Sequence, residues 1–324
     1  MAERALLLFN RTSGTGHARP LLASVERAFR DAAAGAADVT AEAIDGHPAA
    51  RRLAREFFCA SGGACVIVAG GGGGTLRAVV EGVCDASPGS LPGPGRVRLG
   101  ALRLGSGNVV AKRLGVPIDP VEGARQLGAS LRARRSAACA VLRCRFGTAG
   151  GGEDVRHAVT MCGLGQFGRT PGDLARWHRR LGPRRQALVG WAGIERVNDL
   201  EYAAASLGRF AASLANSRLC ERVEVGLDGR RESFRLLAGV VMNFPIRGIP
   251  FHPGVEIGQA AAGVRLVPLW GRPRRARIDR RHRLRLRLLD RDSVEFFLDE
   301  DPERAYGELS VEVAGTLAFL RVGS

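Results

Sequence analysis

Lysine is almost absent from this sequence. Lys112 is the single lysine, although lysine and arginine together number 48 against 32 aspartates and glutamates. A phosphate site that depends on a loop lysine must therefore use Lys112 or be built without lysine. The arginines give a formal net charge of +16 and an isoelectric point near 11.1. This charge predicts acidic partners such as phosphates or an anionic membrane surface, although an arginine-rich solvated surface would also explain it.

Paired metal-binding or disulfide motifs are also missing. The seven cysteines include no CxxC pair, and the six histidines are not clustered. This pattern predicts reduced thiols and no metal held by histidine or cysteine. Apolar runs stay shorter than the ~18 residues of a spanning helix, and the N-terminus does not resemble a signal peptide. We therefore expect a cytoplasmic protein, at most peripheral at the inner membrane face.

Aromatic residues make up only 6% of the chain, and no known nucleic-acid reader motif occurs. Charge alone would allow binding to nucleic acid, but such binding usually also shows aromatic stacking residues or a recognisable module. No nucleic-acid partner is expected.

Strand-length apolar runs alternate with helical spacing through the first part of the chain. This alternation predicts an α/β domain over residues 1–132, with a parallel sheet covered by helices on both faces. In such sheets ligands bind at the carboxyl ends of the strands. The predicted strands are 5–9, 39–44, 65–69 and 97–104, and the predicted helices are 17–30, 48–58, 75–83, 109–114 and 119–127.

The pattern changes after about residue 134. Several segments alternate polar and apolar residues, as antiparallel strands with one solvated face do. We expect a β-rich second domain over residues 133–324, interrupted by a helical stretch near 171–216. The predicted strands are 138–146, 157–162, 223–227, 234–242, 264–269, 284–289, 294–298 and 309–313.

The most specific motif is a run of five glycines. Residues 66–76 read VIVAGGGGGTL, a buried strand that opens into glycines and then a helix. Glycines at a helix start allow phosphate oxygens to approach backbone N–H groups, and Thr75 could cap the helix or donate its hydroxyl to a phosphate. A tight strand-to-helix turn without a ligand is the alternative, but five glycines carry an ordering cost that a turn does not require.

Two further polar loops follow predicted strands. The first contains Asn10, Thr12 and Gly14, and the second reads Gly105-Ser106-Gly107-Asn108. Both offer hydrogen bonds next to positions that allow close backbone approach. The second loop is weak evidence by itself, since Asn108 could simply cap the following helix.

Taken together, the three loops and the segment 113–117, RLGVP, resemble the catalytic domain of the diacylglycerol kinase family, which includes bacterial lipid kinases and sphingosine kinases. The resemblance implies a Rossmann-like first domain, shared with NAD kinases, and an antiparallel β-sandwich second domain. It also implies ATP and Mg²⁺ as cofactors and phosphoryl transfer to a lipid hydroxyl. The positions that match the family's phosphate-binding residues are Asn10, Thr12, Gly71, Gly72, Gly74, Thr75 and Ser106.

The chain departs from this family at acidic positions. Gly73 replaces the aspartate of the usual Gly-Gly-Asp-Gly-Thr loop, Ala262 replaces the aspartate of a late Asp-Gly pair, and Ala43 replaces a threonine that often follows the second strand. The acidic run 299–301 remains. By resemblance Asp301 would be the general base and Asp299 would support it, while an ordinary solvated turn is the alternative.

Two functions therefore stay open at the level of sequence. One is an ATP-dependent lipid kinase acting on diacylglycerol or a related lipid alcohol, and the other is a catalytically silent relative that binds nucleotide or lipid. The basic segment 272–287 and the tryptophan-containing basic helix 177–191 suit a lipid substrate at an anionic membrane surface. An ordinary basic surface is the alternative there, and a homodimer is left open.

Overall fold

The computed structural model describes residues 3–13, 19–87, 89–93, 95–105, 107–192, 194–227, 229–246, 249, 251–299 and 301–323. The chain divides into two compact units. The first comprises residues 1–141, 257–259 and 314–324, and the second comprises residues 142–256 and 260–313.

A parallel sheet forms the centre of the first unit. Its strands are β1 (Glu3–Asn10), β2 (Ala37–Ile44), β3 (Cys65–Gly71) and β4 (Val97–Arg103). Strand β1 pairs in parallel with both β2 and β3, and β3 pairs in parallel with β4. Strand β3 is buried along its whole length, as expected for a strand covered on both faces.

Five helices accompany these strands in the described part of the first unit. Helix α1 packs on α5, and α2 packs on α3. Both contacts are close, because a Cβ on Gly128 of α5 would lie 2.4 Å from the Phe29 carbonyl oxygen and one on Gly82 of α3 would lie 2.2 Å from that of Arg51. The helices are α1 (Arg19–Ala33), α2 (His47–Ala60), α3 (Gly73–Asp85), α4 (Val109–Arg113) and α5 (Pro120–Arg132).

The first unit also takes in the C-terminal end of the chain, which the sequence analysis placed in the second domain. The last strand, β14 (Asp301–Leu320), pairs in parallel with β4 through Ala318 and Phe319. Both residues belong to the first unit. This pairing joins residues more than 200 positions apart, so no local pattern indicates it.

The second unit is rich in antiparallel strands, as predicted. The pairings of β8 with β9, β9 with β10, β10 with β11, and β13 with β14 are all antiparallel. Its strands are the end of β5 (Ser136–Gly147), then β6 (Glu153–Ala158), β7 (Met161–Leu164), β8 (Glu221–Leu227), β9 (Arg230–Met242), β10 (Ala262–Pro268), β11 (Arg274–Ile278), β12 (Arg283–Leu288), β13 (Ser293–Leu298) and most of β14.

One predicted strand, 157–162, is divided. The structure ends β6 at Ala158 and begins β7 at Met161, with a bend at Val159 and Thr160. The amides of these two residues donate to the carboxylate of Asp299 rather than to a neighbouring strand. The sequence pattern missed the break because its cause lies about 140 residues away.

The predicted helical stretch is confirmed as a pair of long helices, α7 (Thr170–Ala192) and α8 (Ile194–Ala215), preceded by the short helix α6 (Gly165–Gly168). Helix α7 is kinked at Gly182, where φ is 42° and ψ is −118°. Among the described residues, no helix combines the length and the apolar character needed to cross a bilayer.

Candidate functional site

The glycine run lies where β3 passes into α3. Gly72 is the N-cap residue in extended conformation, and as a glycine it has no side chain with which to cap the helix. Glycine is required at Gly71, because a Cβ there would lie 2.3 Å from the Thr75 hydroxyl oxygen. The first N–H groups of a helix have no intrahelical partners, so this end of α3 presents backbone donors and the positive end of the helix dipole.

The first loop is tied to the glycine loop by a buried hydrogen bond. The Asn10 amide Nδ2 donates to Thr75 Oγ1 at 2.9 Å, and both residues are almost fully buried. Asn10 Oδ1 also accepts from the backbone N–H of Thr12 at 3.1 Å and from its hydroxyl at 2.8 Å. Thr75 therefore does not cap α3 but anchors it to the end of β1.

Arg11, the cation of the first loop, is already engaged. Its Nε lies 3.0 Å from Asp45 Oδ1, and the hydrogen bond and charge of Asp45 raise the pKa of Arg11. The contact links the loop after β1 to the loop after β2. A phosphate at this edge would meet backbone amides more readily than this paired guanidinium.

The third loop contacts the glycine loop backbone to backbone. A Cβ on Gly105 would lie 2.2 Å from Gly72 Cα, so position 105 must remain glycine at this distance. Asn108 adopts a left-handed conformation, accepts from Gly105 N at 3.0 Å and donates to Gly105 O at 2.6 Å. Asn108 therefore closes its own loop instead of capping α4.

Six of the seven predicted phosphate-site residues are described, and they gather at the carboxyl ends of β1 and β3. These are Asn10, Thr12, Gly71, Gly72, Gly74 and Thr75. Ser106 lies outside the described residues, although its neighbour Gly105 contacts Gly72. The structure thus brings the three strand-end loops together, and their role in binding phosphate stays a prediction.

Sequence reasoning missed one side chain at this edge. The His47 ring lies against Gly74, because a Cβ on Gly74 would be 2.3 Å from His47 Cε1 and 2.6 Å from Nε2. His47 is exposed at the first turn of α2. Its position directly after the second strand was the available signal, since strand-end residues share the ligand edge of such a sheet.

In the second unit, Asp299 is a buried residue that organises a turn. Its carboxylate accepts from the backbone N–H groups of Val159, Thr160 and Met161 at 2.7, 2.7 and 3.1 Å, and from the Thr160 hydroxyl at 2.5 Å. Asn243 holds the same segment, with Nδ2 donating to Val159 O at 3.0 Å. Four donors occupy the carboxylate, so Asp299 fixes the entry to β14 rather than forming an open acidic pair.

Asp301 begins β14 and pairs across the hairpin with Leu298. It is partly exposed, unlike Asp299. The Asp299 turn therefore determines where Asp301 is presented. Its assignment as general base stays a prediction, and Glu300 lies outside the described residues.

The positions where acidic residues were missing have different surroundings. Gly73 is partly exposed in the first turn of α3, a turn that contains no acidic residue. Ala262 is fully buried at the start of β10. Within the described part of the chain, no three histidine, cysteine, aspartate or glutamate side chains form a group that could hold a metal ion.

Comparison with known proteins agrees with this geometry. Residues 4–139 match the family model described as diacylglycerol kinase catalytic domain. A comparison with curated proteins finds no match.

Solved structures from Bacillus anthracis str. Sterne share the fold over almost the whole chain. One proposed diacylglycerol kinase is 15% identical with a TM-score of 0.65, covering 98% of this chain and 97% of its own. A second structure, described as a diacylglycerol kinase, is 15% identical with a TM-score of 0.63 and the same coverage. Residues 4–139 of this chain, which carry the converging loops, therefore belong to the diacylglycerol kinase catalytic-domain family.

Proposed function

We propose that this protein is an ATP-dependent lipid kinase that phosphorylates diacylglycerol or a related lipid alcohol. The observation that supports it best is the convergence of three strand-end loops within a segment that matches this family. The proposal includes the finer fold assignment, a Rossmann-like nucleotide domain followed by a β-sandwich domain.

The arrangement of the loops fits a triphosphate without a lysine. The uncapped turn of α3 offers N–H groups, and the Thr75 hydroxyl, whose oxygen accepts from Asn10, keeps its own proton to donate. Backbone donors fixed in advance can stabilise charge on phosphate oxygens without reorganising. Glycines at positions 71 and 72 leave the backbone accessible to such oxygens.

In this proposal the oxygen of the lipid hydroxyl bonds to the γ-phosphorus while the bond between that phosphorus and the oxygen bridging to the β-phosphate breaks. Asp301 accepts the proton that the hydroxyl loses. Bound MgATP supplies the transferable phosphoryl group, with the cation neutralising phosphate charge. No residue is assigned as a metal ligand, because the described residues form no group of three acidic or metal-binding side chains. The chain's own part is to position the phosphates, hold Asp301 through the Asp299 turn and take up the proton.

The second candidate is a silent relative that binds nucleotide or lipid without transferring phosphate. The absence of any acidic side chain from the first turn of α3 favours it. An aspartate there could organise magnesium or polarise an acceptor hydroxyl, and Gly73 can do neither.

A paired assay distinguishes the two candidates. Nucleotide binding is measured as a thermal shift with MgATP, and transfer is measured as labelled phosphate on diacylglycerol in mixed micelles. A kinase shows both signals, and Asp301→Asn removes transfer while leaving binding. Binding without transfer in the wild-type protein identifies a silent relative that binds nucleotide. No MgATP binding at all refutes the kinase and the nucleotide-binding relative, and leaves a silent relative that binds lipid alone.

The variant Gly73→Asp tests whether the rest of the site is intact. Position 73 is preferred over 262 for restoring a carboxylate, because position 73 is partly exposed and Ala262 is fully buried. A charge introduced at 262 would be desolvated at high cost. Increased transfer in Gly73→Asp, with unchanged transfer in the nearby surface variant Arg52→Gln, would attribute the gain to the restored carboxylate.

A further inference from the structure

One side of helix α8 is apolar and faces solvent. Leu200, Leu207 and Leu214 are 70%, 66% and 54% exposed, far more than a helix packed into a core allows. Their seven-residue spacing keeps them on one side of the helix, since the drift per heptad is only ~20°. The other exposed positions between them are small and uncharged, namely Ala203, Ala204, Gly208, Ala211 and Ala212.

The neighbouring helix α7 adds exposed tryptophan and arginine. Trp191, near its C-terminal end, is 87% exposed, and Leu188 is 51% exposed. Arg179, Arg180 and Arg184 are exposed and make no ion pair with the described residues. The two helices pack on each other, and His178 and Arg185 of α7 both contact Glu201 of α8.

The basic strands differ from this helix pair. The arginines of β12 alternate with the buried side chains of Leu284 and Leu286. The solvent-facing side of this stretch therefore presents arginines without exposed leucines between them. Some of these arginines are paired, as Arg287 is with Glu224 at 3.2 Å. Segment 272–287 therefore resembles an ordinary charged surface, whereas α7 and α8 combine charge with apolar exposure.

We propose that the α7–α8 pair is a membrane-docking surface for bilayers containing anionic lipids. We define this docking surface as the side chains Arg179, Arg180, Arg184, Leu188, Trp191, Leu200, Leu207 and Leu214. Leucines and tryptophan insert at the boundary of headgroups and acyl chains, while arginines contact lipid phosphates.

The positive charge of the docking surface favours a membrane over a second copy of the chain as its binding partner. A symmetric dimer through α8 would bring two sets of unpaired arginines together in a protein whose net charge is already +16. An anionic lipid surface instead neutralises these charges, each cation near such a surface contributing roughly fivefold in affinity. The inference needs no phosphoryl transfer, so it can fail or hold independently of the proposed kinase activity.

Vesicle binding tests the docking surface. The full-length protein is sedimented with sucrose-loaded vesicles of phosphatidylcholine containing about 30% phosphatidylglycerol, without nucleotide, at the ~0.15 M salt that limits screening lengths to about 8 Å. We expect binding to these vesicles and little to pure phosphatidylcholine. The triple variant Leu200→Gln, Leu207→Gln, Leu214→Gln should bind at least about tenfold more weakly, because each leucine loses its insertion energy. These residues are exposed, so the fold should survive, as circular dichroism would show.

A charge-matched pair of variants separates local docking from general attraction. Arg179→Gln, Arg180→Gln, Arg184→Gln should weaken binding about tenfold to hundredfold. The control Arg275→Gln, Arg277→Gln, Arg285→Gln removes the same charge from exposed strand positions that form no ion pair with the residues the structure describes. It should change binding by less than about threefold, since charges remote from the contact are screened. Equal losses from both sets, with no loss in the leucine variant, would overturn the proposal.

Tryptophan fluorescence gives a readout of insertion itself. Emission should shift to the blue on vesicle addition, and this shift should be lost in Trp191→Phe but kept in Trp270→Phe, which removes another exposed tryptophan, 70% accessible on the β10–β11 turn. Analytical ultracentrifugation measures the oligomeric state and so tests whether a second copy of the chain covers the docking surface. If the wild-type protein is a dimer, the leucine variant is a monomer and neither binds vesicles, the occupant of the docking surface is a second copy of the chain and not a membrane.

Discussion

Replacing Asn10 with alanine tests the contact that joins the first loop to the glycine loop. The variant removes a buried hydrogen bond to Thr75, whose hydroxyl oxygen then lacks a donor. Leaving a buried polar group without its partner costs about 1–3 kcal/mol. The two bonds to Thr12 add little to this, because Thr12 is exposed and water replaces them.

Thermal unfolding measures this cost. For a folding unit of this size, each kcal/mol lowers the melting temperature by about 2–4 °C, so we expect a decrease of roughly 2 to 12 °C. MgATP affinity should fall by about tenfold or more, as a loss of 1.4 kcal/mol corresponds to a factor of ten. Thr12→Val, at an exposed position, is the matched control for stability and should shift the melting temperature by less than about 2 °C.

Wild-type melting temperature and wild-type MgATP affinity in Asn10→Ala would mean that the first loop does not depend on this contact. A lowered melting temperature with unchanged MgATP affinity would mean that Asn10 stabilises the fold but does not contribute to the nucleotide site.

Close contacts and charges at three other positions can be tested in the same way. Gly105→Ala places a Cβ 2.2 Å from Gly72 Cα, so both loops must move. We expect the variant to be destabilised by about 1–3 kcal/mol and to lose the MgATP thermal shift. Gly93→Ala, where a Cβ meets open space, should behave as wild type. Asp299→Asn turns one acceptor of the four-donor cluster into a donor, and urea unfolding should show a loss of about 2–4 kcal/mol that the exposed Asp292→Asn lacks. Burial would raise the pKa of Asp173, but the hydrogen bonds and charges of Arg209 and Arg176 outweigh it and hold that pKa below its usual value. Its contribution should be present above pH ~4 and decline as the pH falls through the lowered pKa. Because solvent screens these partly exposed pairs, Asp173→Asn should cost at most about 1 kcal/mol at neutral pH and progressively less below pH ~4, and a cost that does not change with pH would contradict the assignment.

Local patterns determined much of this protein. The apolar run before the five glycines, and the helical spacing after it, predict β3 and α3 because each element depends mainly on neighbouring residues. Asn10, Thr75 and the glycines were identifiable for the same reason, since each follows a strand at the edge where parallel sheets bind ligands. The helical stretch that becomes α7 and α8 was equally readable from its spacing.

The contacts between distant segments depend on tertiary packing, which no local pattern predicts. Asp299 reads as a surface acidic residue in sequence, yet it binds three amides about 140 positions away and divides a predicted strand. The C-terminal end of β14 joins the first sheet through β4, and the exposed face of α8 appears only once the other face has found its partners. Sequence periodicity reports which side of an element is apolar, whereas burial and pairing depend on which remote segment comes to cover it.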